Sequence, residues 1–123
     1  MAKSARPLKA LARAALPKIR AALGALEGVE ETATFGNPTF KAYGKAFAVL
    51  DLYRGKDCLW MLVDPVERDD RLSLPGWFAS PYDPRMTALC CDLDAIDWRR
   101  AKAWLRSAWQ CARLSNAKRK PGK

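Results

Sequence analysis

Cationic side chains near the carboxyl end of the chain have types and spacing suited to contacting phosphate groups. Residues 98–123 contain nine Lys or Arg and no Asp or Glu. With about 100° of rotation per residue in a helix, four of these cations fall within roughly 60° of one another: Arg99, Lys102, Arg106 and Arg113. Such a row could bind nucleic-acid phosphates, with Trp109 as a partly exposed stacking surface. A solvated helix face beside core aromatics is an equally good interpretation.

Further cations lie near the amino terminus and at predicted turns. Residues 1–24 contain six basic residues and no carboxylate: Lys3, Arg6, Lys9, Arg13, Lys18 and Arg20. These could extend a nucleic-acid contact, or they could simply keep a terminal helix soluble. Four more cations lie near expected hairpin ends, where a DNA-binding wing would place them: Lys41, Lys45, Arg54 and Lys56. Turns are polar in most proteins, which explains this last group without a ligand.

The chain contains no histidine, which excludes several kinds of catalytic site. Ser-His-Asp and Cys-His nucleophiles, and zinc sites built with imidazole, all need the missing ring. No nucleophile and base lie at a recognisable spacing, so we expect no enzymatic activity and no cofactor. The cysteines lack C-x-x-C spacing and lie in apolar segments, which predicts reduced, mostly buried thiols: Cys58, Cys90, Cys91 and Cys111.

Two other clusters could form sites. The first is acidic and invites comparison with a cation site: Asp64, Glu67, Asp69 and Asp70. Helix capping and the helix dipole already explain the first two of these residues, so we expect no metal. The second belongs to an aromatic, proline-rich connection and could line a ligand groove or fold back onto the core: Trp77, Phe78, Tyr82 and Arg85.

Length and composition indicate a single soluble domain. The chain has 123 residues, a formal charge of +9, half its residues apolar and 28% charged. This is the composition of an ordinary globular protein with one core. No apolar run is long enough to cross a bilayer, so we expect no membrane partner. The basic, acid-free N-terminus is compatible with a transit peptide, but the cytoplasm is the expected location.

Hydrophobic spacing predicts an α+β fold, with an antiparallel β-sheet and helices from both ends of the chain packed on it. Because proline cannot donate a helical hydrogen bond, Pro17 predicts either a kink or the start of a second helix. We favour two helices, over roughly residues 5–15 and 17–26. Gly28 is then expected to end the second helix.

The remaining helices and strands are predicted from residue type and from the turn-forming residues between them. β-Branched and aromatic residues between positions 32 and 63 predict three or four strands, and two of these are apolar on both faces. Asp64 is the expected N-cap of a short helix, with Glu67 able to complete a capping box. The predicted elements are strands over 45–53 and 58–63, a helix over 65–73, a strand over 86–92 and a helix over 97–114.

Several segments resemble the MmcQ/YjbR family of small bacterial proteins. Residues 28–40 (GVEETATFGNPTF) resemble its characteristic sequence. Further agreement occurs in order at 44–48 (GKAFA), 59–68 (LWMLVDPVER), 80–82 (SPY) and 97–98 (DW). The resemblance covers roughly residues 18–115. Residues 1–16 look like a basic addition, and Asp83-Pro84-Arg85 replaces a more glycine-rich loop.

The resemblance implies a fold like that of CyaY and frataxin, and DNA binding through a proposed double-wing arrangement. It divides the chain into an N-terminal helical extension (1–16), one domain (17–115) and a basic tail (116–123). We therefore expect a non-enzymatic protein that binds nucleic acid, as double-stranded DNA with weak sequence specificity, through phosphate contacts. The alternative is a protein-binding or small-ligand-binding module of the same fold with no nucleic-acid role.

Overall fold

The protein is described by a computed structural model that covers residues 8–80, 83 and 85–119. It contains three helices and six strands, and a 3₁₀ turn over Pro65–Glu67 leads into the second helix. The elements are α1 (Ala10–Leu23), β1 (Val29–Thr34), β2 (Asn37–Ala42), β3 (Lys45–Tyr53), β4 (Lys56–Leu62), α2 (Arg68–Leu72), β5 (Trp77–Ala79), β6 (Ala88–Asp92) and α3 (Trp98–Arg119). The predicted α+β class is confirmed.

The six strands form one antiparallel sheet in the order β1-β2-β3-β4-β6-β5. Two-residue turns connect the first four strands, and both residues of each turn have positive φ: Phe35-Gly36, Tyr43-Gly44 and Arg54-Gly55. Paired positive φ values define the type I′ turn, whose twist matches that of the flanking strands. Glycine at each second position adopts this conformation without strain.

The N-terminal helix is continuous, so the predicted break at Pro17 is wrong. Pro17 lies inside α1, which ends at Leu23, before the predicted limit of residue 26. Residues spaced by three and four on both sides of the proline are buried together: Ala12, Ala15, Ile19 and Leu23. Their packing offsets the roughly 3 kcal/mol that an interior proline costs a helix. The proposed boundary between an extension and the domain, at residues 16 and 17, falls within this helix.

The core lies between one face of the sheet and the pair α1 and α3. Strand residues of this face are fully buried against the helices: Phe40, Ala48, Leu50, Leu59, Met61, Leu89 and Cys91. From α3, Trp104, Leu105 and Ala108 complete this core. The opposite face carries Val49, Trp60, Cys58 and Cys90, because side chains alternate along each strand. The two central strands are therefore apolar on both faces, as predicted.

Several predicted element limits also need correction. The short helix begins as a 3₁₀ turn, with the Asp64 carboxylate accepting a hydrogen bond from Val66 N at 3.0 Å, which confirms Asp64 as the cap. The Glu67 carboxylate instead contacts Arg71. Sequence patterns missed β5 because this three-residue strand lies in a proline-rich segment, and it forms through pairing with β6. The strand predicted over 86–92 begins at residue 88, and the last helix continues to residue 119.

Candidate nucleic-acid interface

The predicted cationic row lies on the outward side of α3. Its four members, which we call the α3 stripe, are all exposed to solvent: Arg99, Lys102, Arg106 and Arg113. The Arg99 side chain is 95% exposed, and its Nε lies 3.9 Å from an oxygen of Asp97, too far for a strong ion pair. Arg113 donates to the Gln110 side chain at 3.0 Å. The positive charge of the stripe is therefore exposed to solvent, and it takes little part in ion pairs within the described residues.

Trp109 does not have the partly exposed position predicted for it. The side chain is only 7% exposed, and its indole N–H donates to the Glu27 carbonyl at 2.8 Å. This bond ties α3 to the segment between α1 and β1, and it occupies the indole's single donor. The Arg113 guanidinium lies 5.5 Å from the ring centroid, within cation–π range. Trp109 thus supports the stripe from beneath and does not present a face on which bases could stack.

Among the described N-terminal cations, Lys18 lies beside the stripe. Lys18 of α1 places its Nζ 5.1 Å from the centroid of Trp98 in α3. Lys18 and Lys102 line the same groove of about 300 Å³, whose floor includes Ala22, Ala101 and Leu105. The packing of α1 against α3 therefore places Lys18 beside the stripe.

The other described N-terminal cations lie on the far side of α1 from Lys18. Lys9, Arg13 and Arg20 are about 140–180° from Lys18 around α1, given 100° per residue. Two nitrogens of the Arg20 guanidinium, Nε and Nη2, donate to the two Glu31 carboxylate oxygens at 2.9 and 2.7 Å. This pairing raises the pKa of Arg20 above its ordinary value, chiefly through the hydrogen bond. Lys3 and Arg6 lie outside the described residues.

The four turn cations do not form one cluster. Lys41 and Lys45 lie at one end of β3, whereas Arg54 and Lys56 lie at the other end. The two ends of this nine-residue strand are about 26 Å apart, given a rise of about 3.3 Å per residue. Lys56 contacts Asp92 at 3.2 Å and Asp94 at 3.7 Å, and the Asp92 hydrogen bond raises the pKa of Lys56. Arg54 lies over the Tyr53 ring at 5.2 Å.

The structure describes three of the four residues predicted to line a ligand groove, and it places two of them, Trp77 and Phe78, on opposite faces of the sheet. Trp77 is buried on the helix-facing side of the sheet, with its ring edge-on to Trp104 at 5.0 Å between centroids. Phe78 points to the opposite face and stacks on Tyr53 at 5.8 Å. Arg85 is exposed, and Tyr82 lies outside the described residues. Adjacent strand residues face opposite sides of a sheet, so Trp77 and Phe78 cannot share one groove.

The predicted thiols are free, and all but the half-buried Cys111 are fully buried. The pKa of Cys58 is raised chiefly by a hydrogen bond to Cys90 and, to a smaller extent, by burial. Burial raises the pKa of Cys91 to about 12. Their raised pKa values keep the Cys58 and Cys91 thiols protonated and unreactive near neutral pH.

The described part of the chain contains neither a candidate metal site nor a candidate membrane-spanning helix. No group of three or more His, Cys, Asp or Glu side chains there is arranged to hold a metal ion. No helix in the same part has the length and apolar character needed to cross a membrane.

Two features of the structure were not predicted from the sequence. Phe35, at the tip of the β1–β2 turn, is 99% exposed. Phe35 precedes Gly36 between two strand patterns, and this position in the sequence could have predicted that it lies in an exposed hairpin turn. The second feature is the burial of Arg71 between aromatic rings. No local pattern marks this, because its neighbours Trp77 and Trp104 come from other elements.

Comparison with known proteins gives one match. A family model described as YjbR matches residues 24–111, which is well over half of the chain. No curated protein matches the chain. No solved structure matches it either.

Proposed function

Because the chain belongs to the YjbR family, a membership that by itself identifies no ligand, we propose the function from the surface described above. The protein is a non-enzymatic DNA-binding protein that contacts the phosphates of duplex DNA through the α3 stripe and Lys18. Its sequence specificity is weak, because phosphate contacts fix position but carry no information about the bases.

One observation carries this proposal: Lys18 and Lys102 line the same groove. Cations from the two acid-free ends of the chain are thereby adjacent on the surface formed by α1 and α3. Clustered exposed cations bind a polyanion by releasing its condensed counterions, a gain that scattered cations do not provide as efficiently. Arg99, Arg106 and Arg113 continue the charge along α3.

The salt dependence of duplex binding tests the proposal. Five phosphate contacts predict that the logarithm of the association constant falls with the logarithm of salt concentration at a slope of about −4.5. A variant with the stripe changed to Gln (R99Q, K102Q, R106Q, R113Q) keeps only Lys18, so its slope should shrink to about −0.9. Fluorescence anisotropy of a labelled duplex at several salt concentrations measures both slopes.

A matched control separates the stripe from net charge. The variant K41Q, K45Q, R54Q, K56Q also loses four positive charges, but from the turns, and it should keep the wild-type slope. Equal losses of affinity in both variants, or a wild-type slope near zero, would contradict the proposal. Thermal melting of each variant checks that the fold is retained, because the stripe residues are exposed whereas Lys41 and Lys45 of the control are partly buried.

A second candidate function, as a protein-binding or small-ligand-binding module, is favoured by a groove on the other face of the sheet. This groove has a volume of about 480 Å³, and it is lined by Trp60 and Lys45 of the sheet together with Ser80 and Thr87. Asp83 also lines it, with a carboxylate that accepts from Thr87 and Ala88 N. Duplex binding that is unchanged in the stripe variant would make this groove the better-supported site.

A further inference from the structure

Arg71 is a buried arginine with an incomplete set of hydrogen bonds. The residue is only 5% exposed, and its Nη2 donates to the Glu67 carboxylate at 2.6 Å. Its guanidinium carbon lies 5.4 Å from the Trp77 ring centroid and 5.5 Å from that of Trp104. The second terminal nitrogen, Nη1, is buried without a hydrogen-bond partner. A buried donor left unpaired destabilises the fold, and it does so more when it is charged.

A second arginine increases this destabilisation. The Arg100 guanidinium carbon lies 5.1 Å from the ring centroid of Trp104, the same indole that contacts Arg71. Burial lowers the pKa of Arg71, and the positive charge of Arg100 lowers it further, against the opposing effect of Glu67. An arginine nevertheless stays protonated in proteins. Two cations thus share one aromatic ring, and a single close carboxylate, that of Glu67, is paired with the buried one.

Both arginines line one groove between α2 and α3. Its volume is about 520 Å³, within the range of sites that bind small molecules. Trp104 and Leu74 provide apolar surface, and Ser107 provides a hydroxyl. This groove is separate from the α3 stripe, because Arg100 lies about 100° from Arg99 around α3.

We propose that the groove binds a small ligand through an oxyanion, either a carboxylate or a phosphate group. Arg71 Nη1 and the Arg100 guanidinium are the donors, and Trp104 packs against the ligand. An arriving oxyanion supplies the partner that Nη1 lacks, and it reduces the repulsion between the two guanidinium groups. Glu67 and Asp70 also line the groove and balance the two arginines in formal charge. A singly charged carboxylate should therefore bind more tightly than a phosphate dianion.

Titration with two simple anions tests this inference. Sodium acetate and inorganic phosphate are added separately at constant ionic strength, with sodium chloride as the balancing salt. Binding is followed through the indole N–H resonance of Trp104 in ¹H–¹⁵N spectra. We expect a saturable shift in the wild type and at least tenfold weaker binding in R100Q. The single-charge control R13Q, at an exposed position of α1 outside both proposed sites, should match the wild type.

The outcomes separate the proposal from its alternatives. Saturation by acetate at lower concentration than by phosphate assigns the carboxylate source, and the reverse order assigns the phosphate source. A shift that never saturates with either anion, or equal weakening in R100Q and R13Q, overturns the proposal. Arg100 is exposed, so R100Q keeps the test decisive even where a change of the buried Arg71 prevents folding. The result is independent of DNA binding, since the stripe is intact in R100Q.

Discussion

Phe35 occupies a backbone conformation that its side chain does not favour. Its φ is 52°, in the left-handed region, and the ring is 99% exposed. Residues at this position of a type I′ turn are usually Asn, Asp or Gly, because a bulky side chain strains the backbone there. Packing does not repay the strain, since the ring is in solvent. The stability of the hairpin therefore does not explain a phenylalanine at this turn.

Replacing Phe35 with Asn should stabilise the protein. We expect the free energy of unfolding to rise by about 1 kcal/mol, because Asn adopts positive φ at lower cost. Urea denaturation followed by circular dichroism measures the change. Tyr43→Asn is a matched control at the equivalent turn position, with φ 54°. Tyr43 packs against the core, so this control should destabilise. A loss of stability in F35N would show that the exposed ring makes a stabilising contact.

Among the elements, α1 shows how packing overrides a local rule. Pro17 is exposed, while the buried face of the helix continues on both sides of it. The helix persists because four buried side chains hold it against the sheet and α3. Local preference alone would end it at the residue before proline. The cost of Pro17 is thus still present in the folded protein and should be recoverable by substitution.

Pro17→Ala should raise the free energy of unfolding by about 1–3 kcal/mol. The variant restores a helical donor and removes the ring clash, with part of the gain offset by a more flexible unfolded chain. Thermal and urea unfolding measure the change. Ala14→Gly, at another exposed position of α1, should lower stability by about 1 kcal/mol if the helix unfolds with the rest of the molecule. A destabilised P17A would indicate that α1 needs a bend at Pro17 to fit the sheet.

On the scale of the whole molecule, both faces of the sheet exclude water from thiols. Cys91 lies on the helix-covered face and Cys58 on the opposite face, and both are fully buried. Burial keeps each thiol protonated in the folded state to a pH well above the point where it ionises in the unfolded chain. Global stability is therefore linked to pH in the alkaline range.

The folded protein should lose stability above about pH 9. The Cys91 thiol has a pKa of about 12 in the fold against an ordinary value of 9.0, so its contribution is complete below pH 9 and is lost as pH rises towards 12. Within this window the unfolded state binds fewer protons, and each such group contributes a slope of about −1.4 kcal/mol per pH unit. Cys91→Ala should show a shallower decline than wild type in urea unfolding between pH 8.5 and 10.5. Parallel declines would rule out Cys91 as the linked group.

Sequence patterns predicted the features that depend on near neighbours along the chain. The limits of β3 agree to the residue, because β-branched and aromatic residues between two turn signals specify a strand locally. The exposed row on α3 and the capping by Asp64 likewise follow from spacings of two to seven residues. The family resemblance was also visible in short segments, and the family model confirms it over residues 24–111.

Features that join distant parts of the chain were decided only by the tertiary structure. The groove shared by Lys18 and Lys102 depends on how α1 packs against α3. The burial of Trp109 depends on the Glu27 carbonyl, 82 positions away in sequence. Arg71 became buried because Trp77 and Trp104 meet around it. Helical and strand periodicity specify which side of a helix or strand is apolar. Which other helix or strand packs against that side is decided by packing across the whole core.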